Sequence, residues 1–146
     1  MAPRGVDAAH RIGRFLRDLD EVPDRIVAST AERAQETARL AKEAGDWLPE
    51  IELEAKFYET NPEGLLDWLR RVDDGTQSIL LAGHMPTWPL FAGGLIGGGQ
   101  LRYPTAALAK IGLHVDRWRD VEFGCGELVW FQLPRVLKRI GDRFGR

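Results

Sequence analysis

One cysteine, three histidines and a net charge of only −2 in 146 residues remove several classes of explanation at the outset. Cys125 has no partner for an internal disulfide, which favours a reducing, cytoplasmic setting over secretion. Twenty basic residues against 22 acidic ones leave no field strong enough to attract nucleic acid or a membrane surface, so specificity has to come from a local site. No apolar run is long enough to cross a bilayer, and the amino terminus carries no signal-peptide hydrophobic segment. With His10, His84 and His114 scattered and a single cysteine, no set of residues has metal-ligand spacing, and no cofactor is implied. A Gly-x-Ser-x-Gly elbow is missing, which leaves a Ser-His-Asp hydrolase unsupported. The tract Gly97-Gly98-Gly99 is not a nucleotide loop, because it ends a helix and no Gly-Lys-Ser/Thr follows.

What is present suits one compact domain over residues 1–146, with 44% hydrophobic residues to build its core. Apolar residues at helical spacing predict an amphipathic helix from Pro3 to Leu19, with Arg4, Arg11, Arg14 and Arg17 on its solvated face. A short strand at Arg25–Ala28 leads into Ser29-Thr30-Ala31-Glu32, a capping-box pattern, and Ala31, Ala34, Ala38 and Ala41 form a small-residue face for packing on a sheet. Ile51–Phe57 reads as a strand, and Asn61-Pro62 as an N-cap with proline at the first helical position. Leu65, Leu66, Leu69 and Val72 then face the core. Further strands are expected at Ile79–Ala82, Ala106–Val115 and Glu127–Leu133, with helices from Thr87 to about Leu95 and after Pro134. Strand and helix alternate through the first half, which argues for a parallel sheet covered by helices on both faces.

Two places could carry chemistry. His84 follows the apolar run Ile79–Ala82, at the carboxyl end of a strand where ligands bind in open α/β sheets. Gly83 lets the backbone approach a ligand, and a helix starting near Pro86 offers unpaired N–H groups to an anion. A structural histidine beside a strand is the alternative reading. Arg33 falls in the first turn of its helix, where a cation opposes the dipole; an anion held there explains it, and so does an ordinary exposed arginine.

Taken together, Ser29–Thr37, Phe57-Tyr58-Glu59, Gly83-His84-Met85-Pro86-Thr87, Pro104–Ala109 and Leu128–Phe131 before Pro134-Arg135 resemble the histidine phosphatase (phosphoglycerate mutase-like) superfamily, and in particular its small SixA-like phosphohistidine phosphatase branch. The resemblance implies a three-layer α/β/α fold with a mostly parallel sheet. It implies a phosphatase working through a phosphohistidine intermediate, on a phosphorylated small molecule or a phosphohistidine protein. Arg33 and His84 would bind and stabilise the phosphoryl group, with Gly83 and Thr105 lining the pocket and Glu59 in the position of a proton donor. Thr30 stands where the family usually has proline, a small departure.

A larger departure concerns the family's first, central strand, which ends in Arg-His-Gly or Arg-His-Ala and carries the nucleophile. Met1–Gly5 resembles the segment that follows that strand, so the expectation is an amino-terminally truncated domain that is inactive in this form and dimerises or aggregates through the gap. A phosphate-binding remnant without turnover is the alternative.

Overall fold

The structure, a computed structural model, describes residues 2–104 and 106–144. Its helices are α1 (Pro3–Asp18), α2 (Glu32–Gly45), α3 (Pro62–Arg70), α4 (Thr87–Leu95) and α5 (Pro134–Phe144). The strands are β1 (Arg25–Ser29), β2 (Ile51–Glu54), β3 (Ile79–Ala82), β4 (Leu108–Leu113) and β5 (Gly126–Gln132).

The first three strands form a parallel sheet in the order β2-β1-β3, with Ile26 opposite both Ile51 and Leu80. β4 and β5 form a separate antiparallel pair with an irregularity between Lys110 and Ile111. A mostly parallel sheet without the family's first central strand was expected; among the described residues no ladder joins β3 to β4, and the strands form two separate ladders. Helices nevertheless cover both faces. On one side Val27, Ile79, Leu81, Ile111 and Leu113 pack with Leu65, Leu66 and Leu69 of α3 and Phe91 and Leu95 of α4. On the other, Ile26, Leu80, Leu108 and Trp130 pack with Leu16 of α1, Ala41 of α2 and Trp47. Side chains alternate between the two layers along each strand, as a pleated strand requires.

Several local expectations hold and others are corrected. Asn61 caps α3 through its Oδ1, which accepts from the Gly64 amide at 2.8 Å. Leu65, Leu66, Leu69 and Val72 are buried. The capping box at Ser29 does not form: β1 stays paired with β2 through Ser29 opposite Glu54, so the serine belongs to the strand. Its Oγ accepts from the Ala31 amide at 3.1 Å, and α2 begins at Glu32. The strand expected over Ile51–Phe57 stops at Glu54, where its partner β1 ends, and Ala55–Phe57 turns as a 3₁₀ segment that buries Phe57.

The small residues of α2 serve mainly to let α1 approach. A Cβ at Gly13 would lie 2.0 Å from the Ala41 carbonyl oxygen, and one at Gly45 would lie 2.3 Å from the Gly13 oxygen. Trp47 Nε1 fastens this crossing by donating to the Gly13 carbonyl at 3.1 Å. The strand β3, expected to be buried on both faces, is only half-buried along its length, because its second edge faces open space.

Candidate functional site

A cavity of about 990 Å³ lies between β3 and β4 and opens at the carboxyl end of the parallel strands. Arg33, Ala34, Gly83, His84 and Tyr103 line it, so residues 50 positions apart in the chain share one concave surface.

The loop after β1 sets up the first half. Glu32, Arg33 and Ala34 open α2, and Gln35 is the first to bond backwards, to the Ala31 carbonyl at 3.1 Å. The three amides before it are the donors that every helix start leaves unmatched. Arg33 is exposed, and among the described residues it has no ion-pair partner. A planar guanidinium beside three free amides can hold two oxygens of a tetrahedral anion while the amides take a third.

The loop after β3 sets up the second half, and differs from expectation. The start of α4 offers little to an anion: Pro86 and Pro89 have no N–H, Trp88 donates to the His84 carbonyl at 3.4 Å and Leu90 to the Pro86 carbonyl at 3.4 Å. Only the Thr87 amide is left in that turn. Gly83 is also explained differently. A Cβ there would come within 2.2 Å of the Trp88 indole, so the missing side chain makes room for Trp88, whose Nε1 donates to the Leu81 carbonyl at 3.3 Å. The His84 ring stacks on that indole, with centroids 6.3 Å apart and planes 17° apart, and meets the edge of Tyr58 at 6.1 Å. Two aromatic neighbours thus fix an exposed imidazole at the cavity mouth.

Glu59 is not brought into this cavity. It lines a separate depression of about 260 Å³ with Lys56, Thr60, Asp67 and Arg71. The two sites adjoin through the Thr87 hydroxyl, which donates to the Thr60 carbonyl at 3.2 Å. Thr105 lies outside the described residues. The other histidines stand apart: His10 is on α1, and His114 Nε2 lies 2.9 Å from Glu127 Oε2 on an exposed edge.

Residues 1–84, more than half of the chain, match the sequence profile of the histidine phosphatase superfamily (branch 1). The chain belongs to that superfamily. It is 32% identical over 145 residues to an uncharacterised protein of Mycobacterium tuberculosis, covering 92% of this chain and 89% of that one. An uncharacterised protein of Mycobacterium leprae is 28% identical over 144 residues, covering 92% and 86%. Among solved structures, the protein histidine phosphatase SixA in complex with tungstate superposes with a TM-score of 0.76 at 20% identity, covering 94% of this chain and 85% of that one. A SixA protein from Agrobacterium tumefaciens, provisionally assigned as a phosphohistidine phosphatase, gives 0.74 at 24%, covering 92% and 82%. These likenesses establish the phosphoglycerate mutase-like fold.

In this member of the histidine phosphatase superfamily, sequence reasoning gave no role to Trp88 and Tyr103, which line the cavity, or to Tyr58, which meets His84. Tyr58 and Trp88 hold His84, and Trp88 was readable as the residue one helical turn beyond it. Tyr103 is the third, on the cavity wall. Its phenol is pushed up to about 12 by burial and stays a neutral donor beside Phe131, with ring centroids 5.0 Å apart.

Proposed function

We propose that this protein is a phosphohistidine phosphatase or phosphomonoesterase by chemistry, in which Arg33, the α2 amides and His84 bind the phosphoryl group of a phosphohistidine protein or a phosphorylated small molecule. The observation that carries this reading is the shared cavity of Arg33, Ala34, Gly83 and His84. Phosphoryl transfer spreads charge over the peripheral oxygens, so fixed cations and donors do most of the work. Arg33 supplies a fork, the amides of Glu32–Ala34 supply aligned dipoles, and the ring of His84 supplies one directed donor. That a SixA structure carries tungstate, a tetrahedral oxyanion, agrees with this chemistry.

Reaction through a phosphohistidine intermediate requires a histidine that attacks. His84 is the supporting histidine in this reading, while His10 and His114 are on α1 and beside β4. Residues 1–146 by themselves therefore bind the anion without turning it over. Glu59 lines the neighbouring depression and not this cavity, so a phosphohistidine, whose imidazole leaves readily without a proton donor, suits the site better than an alkyl phosphate. The setting in this reading is cytoplasmic; among the described residues no helix is long and apolar enough to cross a membrane.

Calorimetry with tungstate tests the reading. Arg33→Ala and His84→Ala should each weaken binding, and undiminished binding in both variants would refute the site. Steady hydrolysis of p-nitrophenyl phosphate by purified residues 1–146 would overturn the assignment of His84 as a supporting group only.

A further inference from the structure

We infer that Tyr58 is a specificity-determining residue for the group that leaves phosphorus, a platform for a planar ring bonded directly to the phosphoryl group. The inference rests on the reading of Arg33 and His84 as a phosphate site and adds what that site selects. Three strands deliver the parts. Arg33 follows β1, His84 follows β3, and Tyr58 closes the 3₁₀ segment Ala55–Phe57 that follows β2, so all three stand at the carboxyl end of one parallel sheet. Arg33 and His84 line the cavity, and Tyr58 meets the exposed His84 ring at its mouth, with centroids 6.1 Å apart. An anion held between Arg33 and His84 turns its oxygens to those donors, and its substituent therefore points outwards, past Tyr58.

The fold has little use of its own for this ring. Tyr58 is 55% exposed, its contact with His84 is edge-on at 66°, and among the described residues its hydroxyl has no hydrogen-bond partner. The core contacts of this turn belong to the residue before it. Phe57 is 1% exposed and meets Trp68 and Trp88 at ring-centroid distances of 5.0 and 5.4 Å, and Trp88 in turn stacks on His84. Phe57 thus fixes the backbone from which Tyr58 projects, and the tyrosine has little freedom left to lose when a ring docks on it. Met85, next to His84 and 57% exposed, widens the same rim with a polarizable apolar side chain. Aromatic pairs gain beyond their buried area when centroids lie about 4.5–7 Å apart, edge-to-face or offset. A ring joined straight to phosphorus, as in phosphohistidine, can take that geometry. An alkyl chain gains only apolar contact.

The test compares the calorimetric affinities of residues 1–146 for phenylphosphonate and methylphosphonate, which share the anionic group and differ in the ring bonded to phosphorus. Phenylphosphonate is expected to bind about threefold to tenfold more tightly, the size of one aromatic pair. Tyr58→Ala, at a half-exposed position, should bring the two affinities together while tungstate binding stays as in the wild type. Tyr58→Phe should keep the preference, because the hydroxyl takes no part. Equal binding of the two phosphonates by the wild type, or a preference that survives Tyr58→Ala, would overturn the inference, since the ring would then be held elsewhere or not at all. Loss of tungstate binding in Tyr58→Ala would overturn it too, because Tyr58 would then act by positioning His84. Failure of the phosphate reading shows separately, as tungstate binding that Arg33→Ala and His84→Ala leave undiminished.

Discussion

An arginine stands near each end of β1, Arg25 on the strand itself and Arg33 beyond it in the first turn of α2, and the two are used in opposite ways. At the amino end, Arg25 donates Nε and Nη2 to the two carboxylate oxygens of Glu52 at 2.9 and 2.6 Å, and its guanidinium lies 5.8 Å from the Trp68 ring centroid. The hydrogen bond from Arg25 holds the Glu52 carboxyl below the usual carboxylate range, and the same bond raises Arg25. At the carboxyl end, Arg33 lines the cavity with three amides behind it and, among the described residues, no carboxylate in front. An arginine already bonded to a carboxylate cannot give its fork to a ligand without leaving that carboxylate unmatched. An unmatched arginine on a concave surface can.

The strongest way to break this contrast is Arg33→Ala. Losing charge-assisted hydrogen bonds of about 1.5–3 kcal/mol should weaken tungstate binding about tenfold to a hundredfold, measured by calorimetry, with the thermal midpoint little changed. Arg33→Lys keeps the charge but loses the fork, and should recover only part of the affinity. Gly83→Ala should act on stability instead: the new Cβ meets the Trp88 indole, so about 1–3 kcal/mol of unfolding free energy is lost in a denaturant titration. Next in size, His84→Ala removes one donor and should cost about 0.5–1.5 kcal/mol of tungstate binding, since no second group backs it.

The smallest effect belongs to the other end of the strand. Glu52 is nearly half exposed, so its ion pair is screened and Glu52→Gln should cost no more than about 1 kcal/mol of stability. Because the folded carboxyl is held below its unfolded value of 4.5, that contribution is present above about pH 4.5 and fades as acid protonates the folded group. Thermal midpoints of the wild type and Glu52→Gln should therefore converge below that pH. Tungstate affinity at neutral pH should not change in this variant; a large loss would mean that the two ends of β1 are not independent.

The sequence made visible whatever is local. Asn61-Pro62 and the leucines of α3 declare a capped amphipathic helix within a dozen residues, and His84 after an apolar run declares the end of a strand. Pro86 and Pro89 were equally visible, and they alone forecast a poor anion site at the start of α4. Arg33 in a first helical turn was legible as an anomaly, though the cavity that gives it a role is made with residues far along the chain. Three features needed the third dimension. Ser29 left its capping role because β2 extends the ladder to meet it. Gly83 is small because an indole from the next helix covers it. Which strand pairs with which depends on the edges that meet, and side-chain periodicity does not encode that.

The position of the anion decides between the two neighbouring sites. An amide-detected NMR titration of residues 1–146 with tungstate measures that directly. The largest shifts are predicted at the amides of Glu32, Arg33 and Ala34 and at the Arg33 Nε–H, with a smaller response at Thr87 and His84. A response centred instead on Lys56 and Arg71, the cations of the neighbouring depression, would contradict it.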